Sequence, residues 1–201
     1  RGLVAMNGLW MLVAQAKESA EWFLGHSIDD NKIESIHNRI KKQMENTVLI
    51  GMPGCGKSTV GRLLADLTGK KFVDADAMIE KKAGKPIPCI FRDDGEEVFR
   101  KLETSVLAEI GPSGLVIATG GGCVTRQENY SLLHQNGTII WLQRDIELLS
   151  SEGRPLSQTT SLTDMYQVRK SMYERFADYI IQNQATAAEA ATAIAELEVS
   201  K

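Results

Sequence analysis

The run Gly51-Met52-Pro53-Gly54-Cys55-Gly56-Lys57-Ser58 constrains the fold of this chain more than any other stretch. It matches G-x-x-x-x-G-K-[ST], a pattern that works only between a strand and a helix. Val48-Leu49-Ile50 before it reads as a buried strand. After it, Val60, Leu63, Leu64 and Leu67 recur at helical spacing over Thr59 to Leu67. In that setting the glycines turn backbone N–H groups toward phosphate oxygens, and the helix start adds about half a positive charge. Gly54, Cys55, Gly56, Lys57, Ser58 and Thr59 form the expected nucleotide cradle. Lys57 is placed to reach β- and γ-phosphates and the Ser58 hydroxyl to bind Mg²⁺. A glycine-rich turn with a chance lysine is the competing reading, and the readable flanks weigh against it.

With 201 residues, the chain suits one ordinary domain plus an extra element, and 43% hydrophobic residues suffice for a real core. A net charge of −3 gives no global basic field for a nucleic-acid partner. Cys55, Cys89 and Cys123 are odd in number and lack metal-ligand spacing, which suits free thiols in a reducing, cytoplasmic setting. His26, His37 and His134 are scattered and read as surface or helix-face residues. No apolar run reaches membrane-spanning length, so no membrane partner is expected. Leu3 to Ala16, behind Arg1, resembles a signal peptide. Asn7 and Gln15 interrupt it, however, and the apolar pattern continues through Trp22, Phe23 and Leu24, so an ordinary helix is expected. Because the chain begins with Arg, removal of an upstream segment is expected.

Two segments are expected: a helical appendage over 1–46 and an α/β domain over 47–201. In the first, a helix over Asn7 to Leu24 carries Leu9, Leu12, Val13, Ala16, Ala20 and Phe23 on one face, and Gly25 ends it. A second helix starts near Asp30 or Asn31, with Asn31 and Glu34 as a capping box. Its apolar stripe is Ile33, Ile36, Ile40 and Met44, and Lys41-Lys42-Gln43 leads out as a polar stretch. In the second segment, strands at Val48–Ile50, Lys71–Val73, Leu115–Ala118, Thr138–Leu142 and Tyr179–Ile181 alternate with helical pieces. That alternation predicts a three-layer fold with a central parallel sheet and helices on both faces. Ligands of such sheets bind beyond the carboxyl ends of the strands. The glycine loop, Asp74/Asp76 and Gly120-Gly121-Gly122 all follow strands and should converge there.

Asp74 is placed to serve Mg²⁺. Asp76, two residues on in an extended chain, would face the same side and accept a proton from an acceptor hydroxyl. Alternatively, one of the two caps the following helix. Arg100 falls four residues after Glu96 and three before Glu103. Spacing alone leaves open a surface ion pair or an arginine oriented by Glu103 toward an anionic group. Gly120, Gly121 and Gly122 admit close approach of a ligand or simply make a turn. Arg154, in the polar stretch Ser150–Thr163, belongs either to a lid that closes on phosphates or to a plain surface loop.

Taken in order, these motifs resemble shikimate kinase over about residues 47 to 198. The likeness rests on Gly51–Thr59, Phe72-Val73-Asp74-Ala75-Asp76, Gly95-Glu96-Glu97-Val98-Phe99-Arg100-Lys101-Leu102-Glu103, Gly120-Gly121-Gly122, Arg154-Pro155-Leu156, and Arg169 with Tyr173. The resemblance implies ATP-dependent phosphorylation of the shikimate 3-hydroxyl. It implies that Asp76, Arg100, Gly120, Gly121, Gly122 and Arg169 hold shikimate, with Arg100 and Arg169 near its carboxylate and Asp76 on the reacting hydroxyl. Lys57 and Arg154 would stabilise the transferring phosphoryl group, and Ser58 and Asp74 would serve Mg²⁺. Two departures stand out: Ser171 where the family often has Pro, and Gln182-Asn183-Gln184-Ala185-Thr186, without Arg or Lys, near the expected base site.

Residues 3 to about 44 resemble the C-terminal tail of shikimate dehydrogenase, through Asn7-Gly8-Leu9-Trp10-Met11-Leu12-Val13-Ala14-Gln15-Ala16, with Trp10 where that family usually has Gly. The resemblance implies a piece of a dehydrogenase–kinase fusion. No dinucleotide fingerprint accompanies it, so no dehydrogenase activity is expected. Trp10, Trp22 and Phe23 would leave a large apolar patch unless these helices pack on each other, on the kinase domain, or between chains.

Overall fold

A computed structural model describes residues 8–111, 113–149 and 162–200. The described chain forms two compact units, divided between Glu45 and Asn46.

The first unit is a pair of helices, α1 (Gly8–Leu24) and α2 (Asp30–Met44), packed on each other. Gly25 ends α1 as expected, with φ +70° and its amide bonded to the Glu21 carbonyl at 2.9 Å. The start of α2 differs from expectation. Asp29 is the N-cap, its carboxylate accepting from the Asn31 amide at 3.0 Å. Asp and Asn cap almost equally well, and sequence alone did not settle which of the adjacent polar residues takes the position. Lys41, Lys42 and Gln43 lie inside α2 rather than in a linker. Val13 and Ile33 are buried, Trp10 meets His37 edge-on at 4.8 Å, and Lys17 pairs with Asp30. Leu12 and Phe23 of the expected apolar face, and Ile36 and Met44 of the expected stripe, are exposed.

The second unit is a five-stranded, all-parallel sheet in the order β2-β3-β1-β4-β5. The strands are β1 (Asn46–Ile50), β2 (Lys71–Asp74), β3 (Leu115–Ala118), β4 (Gly137–Gln143) and β5 (Tyr179–Gln182). β1 lies between β3 and β4 and is buried along its whole length, which is why it reads as a continuous apolar run rather than an alternating one. Helices connect the strands: α3 (Lys57–Thr68), α4 (Ala75–Ala83), α5 (Ile87–Asp93), α6 (Glu96–Glu109), α7 (Glu128–His134) and α8 (Leu162–Phe176); α9 (Ala187–Val199) follows β5. α7 was not foreseen; its seven residues are too few to show a period. The main core joins β1, β3 and β4 to α3, α8 and α9, with Trp141 stacked on Tyr173 at 5.6 Å. A smaller cluster of Ile79, Ile90, Phe99 and Val106 holds α4, α5 and α6 together. Among the described residues, no helix is long and apolar enough to cross a membrane.

Gly61 lies in the middle of α3, and a Cβ there would come within 2.6 Å of the Phe72 ring. The Arg62 guanidinium sits 5.3 Å from the centroid of the same ring. Helix propensity alone would favour Gly61→Ala by about 1 kcal/mol; overpacking opposes it by about 1–3 kcal/mol. The overpacking should win, so Gly61→Ala is expected to lower the urea midpoint. A raised midpoint would show that the ring moves aside freely.

Candidate active site

Three loops meet at the carboxyl edge of the sheet around one cleft of about 530 Å³. The first is the glycine loop between β1 and α3. Gly56 sits at φ +93° as the N-cap residue of α3, so the first amides of that helix have no intrahelical partner. Gly54, Gly56, Lys57, Ser58 and Thr59 all line the cleft. The Cys55 side chain does not: it is buried, and its amide bonds to the Met52 carbonyl at 3.2 Å. The Lys57 ammonium donates to the Gly51 and Met52 carbonyls at 2.8 and 2.9 Å.

The second loop joins β2 to α4, and here the local geometry differs from the extended reading. Asp74 is the N-cap of α4: Oδ1 accepts from the Asp76 and Ala77 amides at 3.1 and 3.4 Å. Its Oδ2 accepts from the Ser58 hydroxyl at 2.7 Å. Capping and contact with Ser58 are thus done by two oxygens of one carboxylate. Asp76 sits in the first turn of the helix, not on an extended chain. A helical residue two places on does not share a face with its predecessor, so Asp76 and Asp74 serve different parts of the cleft. Asp76 points toward Gly120, where a Cβ would lie 2.8 Å from its Oδ1.

The third loop is Gly120-Gly121-Gly122, beyond β3. Each glycine has a neighbour that excludes a side chain. At Gly120 the same Cβ position lies 2.8 Å from Glu103 Oε1, at Gly121 a Cβ would strike the Pro53 ring at 2.6 Å, and at Gly122 it would lie 2.6 Å from the Arg100 Cζ. The three glycines therefore let the loop close over Asp76, Glu103 and Arg100 at once. Arg169, on α8, donates to the Gly121 carbonyl at 3.3 Å, and the Tyr173 hydroxyl donates to the same oxygen at 2.5 Å.

Arg100 and Glu103 on α6 are 5% and 1% exposed and bonded at 2.8 Å. Glu96 accepts from Arg100 at 3.1 Å from the solvent side. The pair is therefore not a surface ion pair. Burial pushes the Glu103 carboxyl above its ordinary range, and the neighbouring Asp76 adds to this; Arg100 and Arg169 oppose the shift without cancelling it. Burial also pushes the Cys123 thiol up to about 12, so it is a poor nucleophile at neutral pH. Arg154 and most of the Ser150–Thr163 stretch lie outside the described residues.

Sequence reasoning missed Arg144 altogether and gave Asn183 only as part of a stretch near the expected base site. Arg144, just past β4, lines the cleft, and Asn183, just past β5, donates to the Cys55 carbonyl at 2.6 Å. Neither sits in a motif; only the sheet order brings their strand ends beside the glycine loop.

Two oxygen donors, from Ser58 and Asp74, stand beside the phosphate cradle, and the described residues contain no cluster of three or more acidic, His or Cys ligands. That sparse, hard-oxygen set fits Mg²⁺, which keeps several waters and borrows the rest of its shell from phosphates.

The fold and cleft define a P-loop phosphotransferase, with Arg100 and Arg169 lining the same cleft as the glycine loop. Comparison with known proteins then places it: residues 53–198 match the shikimate kinase family, and the chain belongs to that family. Shikimate kinase of Acinetobacter baumannii is 40% identical over 168 residues, spanning 78% of this chain and 93% of that protein. Shikimate kinase of Parasynechococcus marenigrum is 44% identical over 160 residues, 74% and 83% of the two chains. Among solved structures, the Acinetobacter baumannii enzyme in complex with shikimate superposes with a TM-score of 0.74 at 38% identity, covering 81% of this chain and 97% of that one. The Aquifex aeolicus enzyme gives 0.65 at 32%, covering 77% and 97%.

Glu103 must be ionised to hold Arg100, yet its raised pKa makes it take up a proton at a higher pH than an ordinary glutamate. Its linkage to stability has the opposite sign. The folded state binds the proton more tightly than the unfolded chain, so this group's contribution is full below the unfolded value and lost as pH rises through the folded one. Shikimate affinity, measured by titration calorimetry, should accordingly fall on acidification at a higher pH than exposed glutamates titrate, because Glu103 protonates before they do. Glu103→Gln should bind about ten-fold more weakly at pH 7 and show no such limb. An unchanged limb in the variant would assign it to another group.

Proposed function

We propose that this chain transfers the γ-phosphoryl group of ATP to the 3-hydroxyl of shikimate. The observation that supports this most directly is the grouping of Arg100, Glu103, Asp76 and Arg169 around Gly120-Gly121-Gly122, within the same cleft as Lys57 and Ser58. A nucleotide cradle alone would suit many kinases; a buried, pre-oriented guanidinium beside a second arginine suits an acceptor bearing a carboxylate.

In this reading Arg100 and Arg169 hold the shikimate carboxylate, and Gly120, Gly121 and Gly122 allow the ring to approach the backbone. Asp76 accepts the proton of the 3-hydroxyl as its oxygen bonds to the γ-phosphorus. The bond from that phosphorus to the ADP oxygen breaks, leaving ADP and shikimate 3-phosphate. Lys57 exchanges carbonyl partners for phosphate oxygens and balances charge on the transferring group, and Arg154 adds to it. The amides of Gly54, Gly56, Ser58 and Thr59 cradle the phosphates, while the Cys55 amide, expected to join them, holds the loop's shape through the Met52 carbonyl. Ser58 and Asp74 would hold Mg²⁺, which when bound with the nucleotide offsets negative charge on the phosphates. A related small-metabolite or nucleoside monophosphate kinase is the rival reading; gluconate and nucleoside monophosphates are anionic too, so the arginines do not separate them from shikimate, and it is the match to the shikimate kinase family over residues 53–198 that favours shikimate.

ADP release from Mg-ATP should depend on shikimate and not on gluconate or nucleoside monophosphates. Asp76→Asn should lower kcat by about 10²–10⁴-fold, the usual worth of a general base, with little change in the KM for ATP. ATP binding without turnover on any acceptor would leave an inactive nucleotide-binding module instead.

For residues 1–46 we propose descent from the tail of a dehydrogenase fused to the kinase, resting on the likeness around Asn7–Ala16 alone. The exposed Trp22 and Phe23, 91% and 96% accessible, are proposed to be covered in solution by the kinase unit or by a second copy. A chain starting at Asn46 should keep shikimate-dependent turnover, and the full chain should show no shikimate-dependent reduction of a nicotinamide. Light scattering at the monomer mass, with Trp22 fully open to acrylamide quenching, would remove the covering. A cytoplasmic setting accords with the free thiols and the ATP requirement.

A further inference from the structure

Lys57, Arg100, Arg144 and Arg169 are the cations that line the cleft among the described residues. Three of them already have partners: carbonyls for Lys57, Glu96 and Glu103 for Arg100, and the Gly121 carbonyl for Arg169. Arg144 has neither a hydrogen bond nor an ion pair among the described residues, and its Nε is buried without a partner. Its Nη1 lies 3.8 Å from the Cβ position of Gly56, the glycine immediately before Lys57. A guanidinium in that state is charged, half-desolvated and uncompensated, an arrangement a protein keeps where an anion is to arrive.

The surroundings fix which end of the nucleotide this is. Asn183 lies 2.8 Å from the same Gly56 position through its Nδ2, which ties the turn after β5 to the Cys55 carbonyl. Asn183 is 2% exposed, and its Oδ1 is also buried without a partner. Arg100 and Arg169 border the opposite, acceptor side at Gly121 and Gly122. Lys57 serves the β- and γ-phosphates. The remaining charge of a bound nucleoside triphosphate is the α-phosphate, and the unused cation beside Gly56 is Arg144.

We infer that Arg144 is a nucleotide-binding residue, its guanidinium set against the α-phosphate and braced by the turn that carries Asn183. It acts on nucleotide affinity and leaves the acceptor site untouched. This rests on the kinase reading above and adds to it a contact from the end of β4.

Arg144→Gln and Arg144→Lys in the full-length chain test it. Steady-state kinetics of Arg144→Gln should show the KM for ATP raised at least ten-fold, with the KM for shikimate within two-fold of the parent. The inhibition constants of ADP and of AMP should rise by the same factor as the KM for ATP, because all three carry the α-phosphate. Arg144→Lys, which keeps the charge without the fork, should fall between. If Arg144→Gln does not fold, Arg144→Lys alone must still raise the KM for ATP and spare shikimate. An unchanged KM for ATP overturns the inference, as does a loss confined to ATP with AMP unaffected. Absence of shikimate-dependent turnover in the parent chain would fail the kinase reading instead, so the two failures are distinct.

Discussion

The parallel pairing of β1 between β3 and β4 is the constraint on which the rest of this molecule depends. Val48 and Leu49 sit in register with Ile117 and Ala118 on one side and with Ile139 and Ile140 on the other. Parallel strands all end at the same edge, so the pairing delivers the glycine loop, the triple glycine and Arg144 to one rim without further instruction. The Asn46 side chain fixes the other rim, accepting from the Leu115 amide at 2.9 Å and donating to the Gly111 carbonyl at 3.2 Å. A slip in that register would displace every residue of the cleft together, since a one-residue shift reverses which face each side chain occupies.

On that rim the side carrying Arg100 and Gly122 is organised by buried charge. Removing two ions from water is expensive, and a buried pair often does no more than break even against apolar packing. The Arg100–Glu103 pair is therefore weak evidence for stability and better evidence for placement. Its guanidinium is held where Gly122 has no side chain, and its carboxylate where Gly120 has none. The smaller apolar cluster of α4, α5 and α6 lies beneath the pair and supplies the rigidity a fixed charge requires.

The sequence disclosed these features unevenly, and physics explains which. The glycine loop and all five strands were legible because a buried parallel strand is an unbroken apolar run and the loop has fixed spacing. Arg100 was legible as a candidate, but its burial was not: spacing shows that Glu103 can reach it, not whether water can. Asp74 and Asp76 were expected on an extended chain, and the helix starts one residue too early for that. Asn31 lost the capping position to Asp29, a choice between near-equal caps. Leu12 and Phe23 fit an apolar stripe yet are exposed, since periodicity marks a face that needs a partner without supplying one. Arg144 could not be foreseen from local pattern, and Asn183 only as part of a stretch near the base, because the order of strands alone makes residues 39 positions apart neighbours of Gly56.

The Lys57 ammonium, resting on the Gly51 and Met52 carbonyls, has a consequence for how tightly this loop can grip its ligand. A phosphate does not meet a bare cation; it competes with two oxygens already in place. The net gain is the difference between two sets of charge-assisted bonds, smaller than either alone. That difference works in both directions of the cycle: the loop keeps its shape between turnovers, and a departing diphosphate is replaced at once by the chain's own carbonyls. Self-substitution of this kind favours release over retention, which is what an enzyme that must shed one nucleotide to accept the next requires.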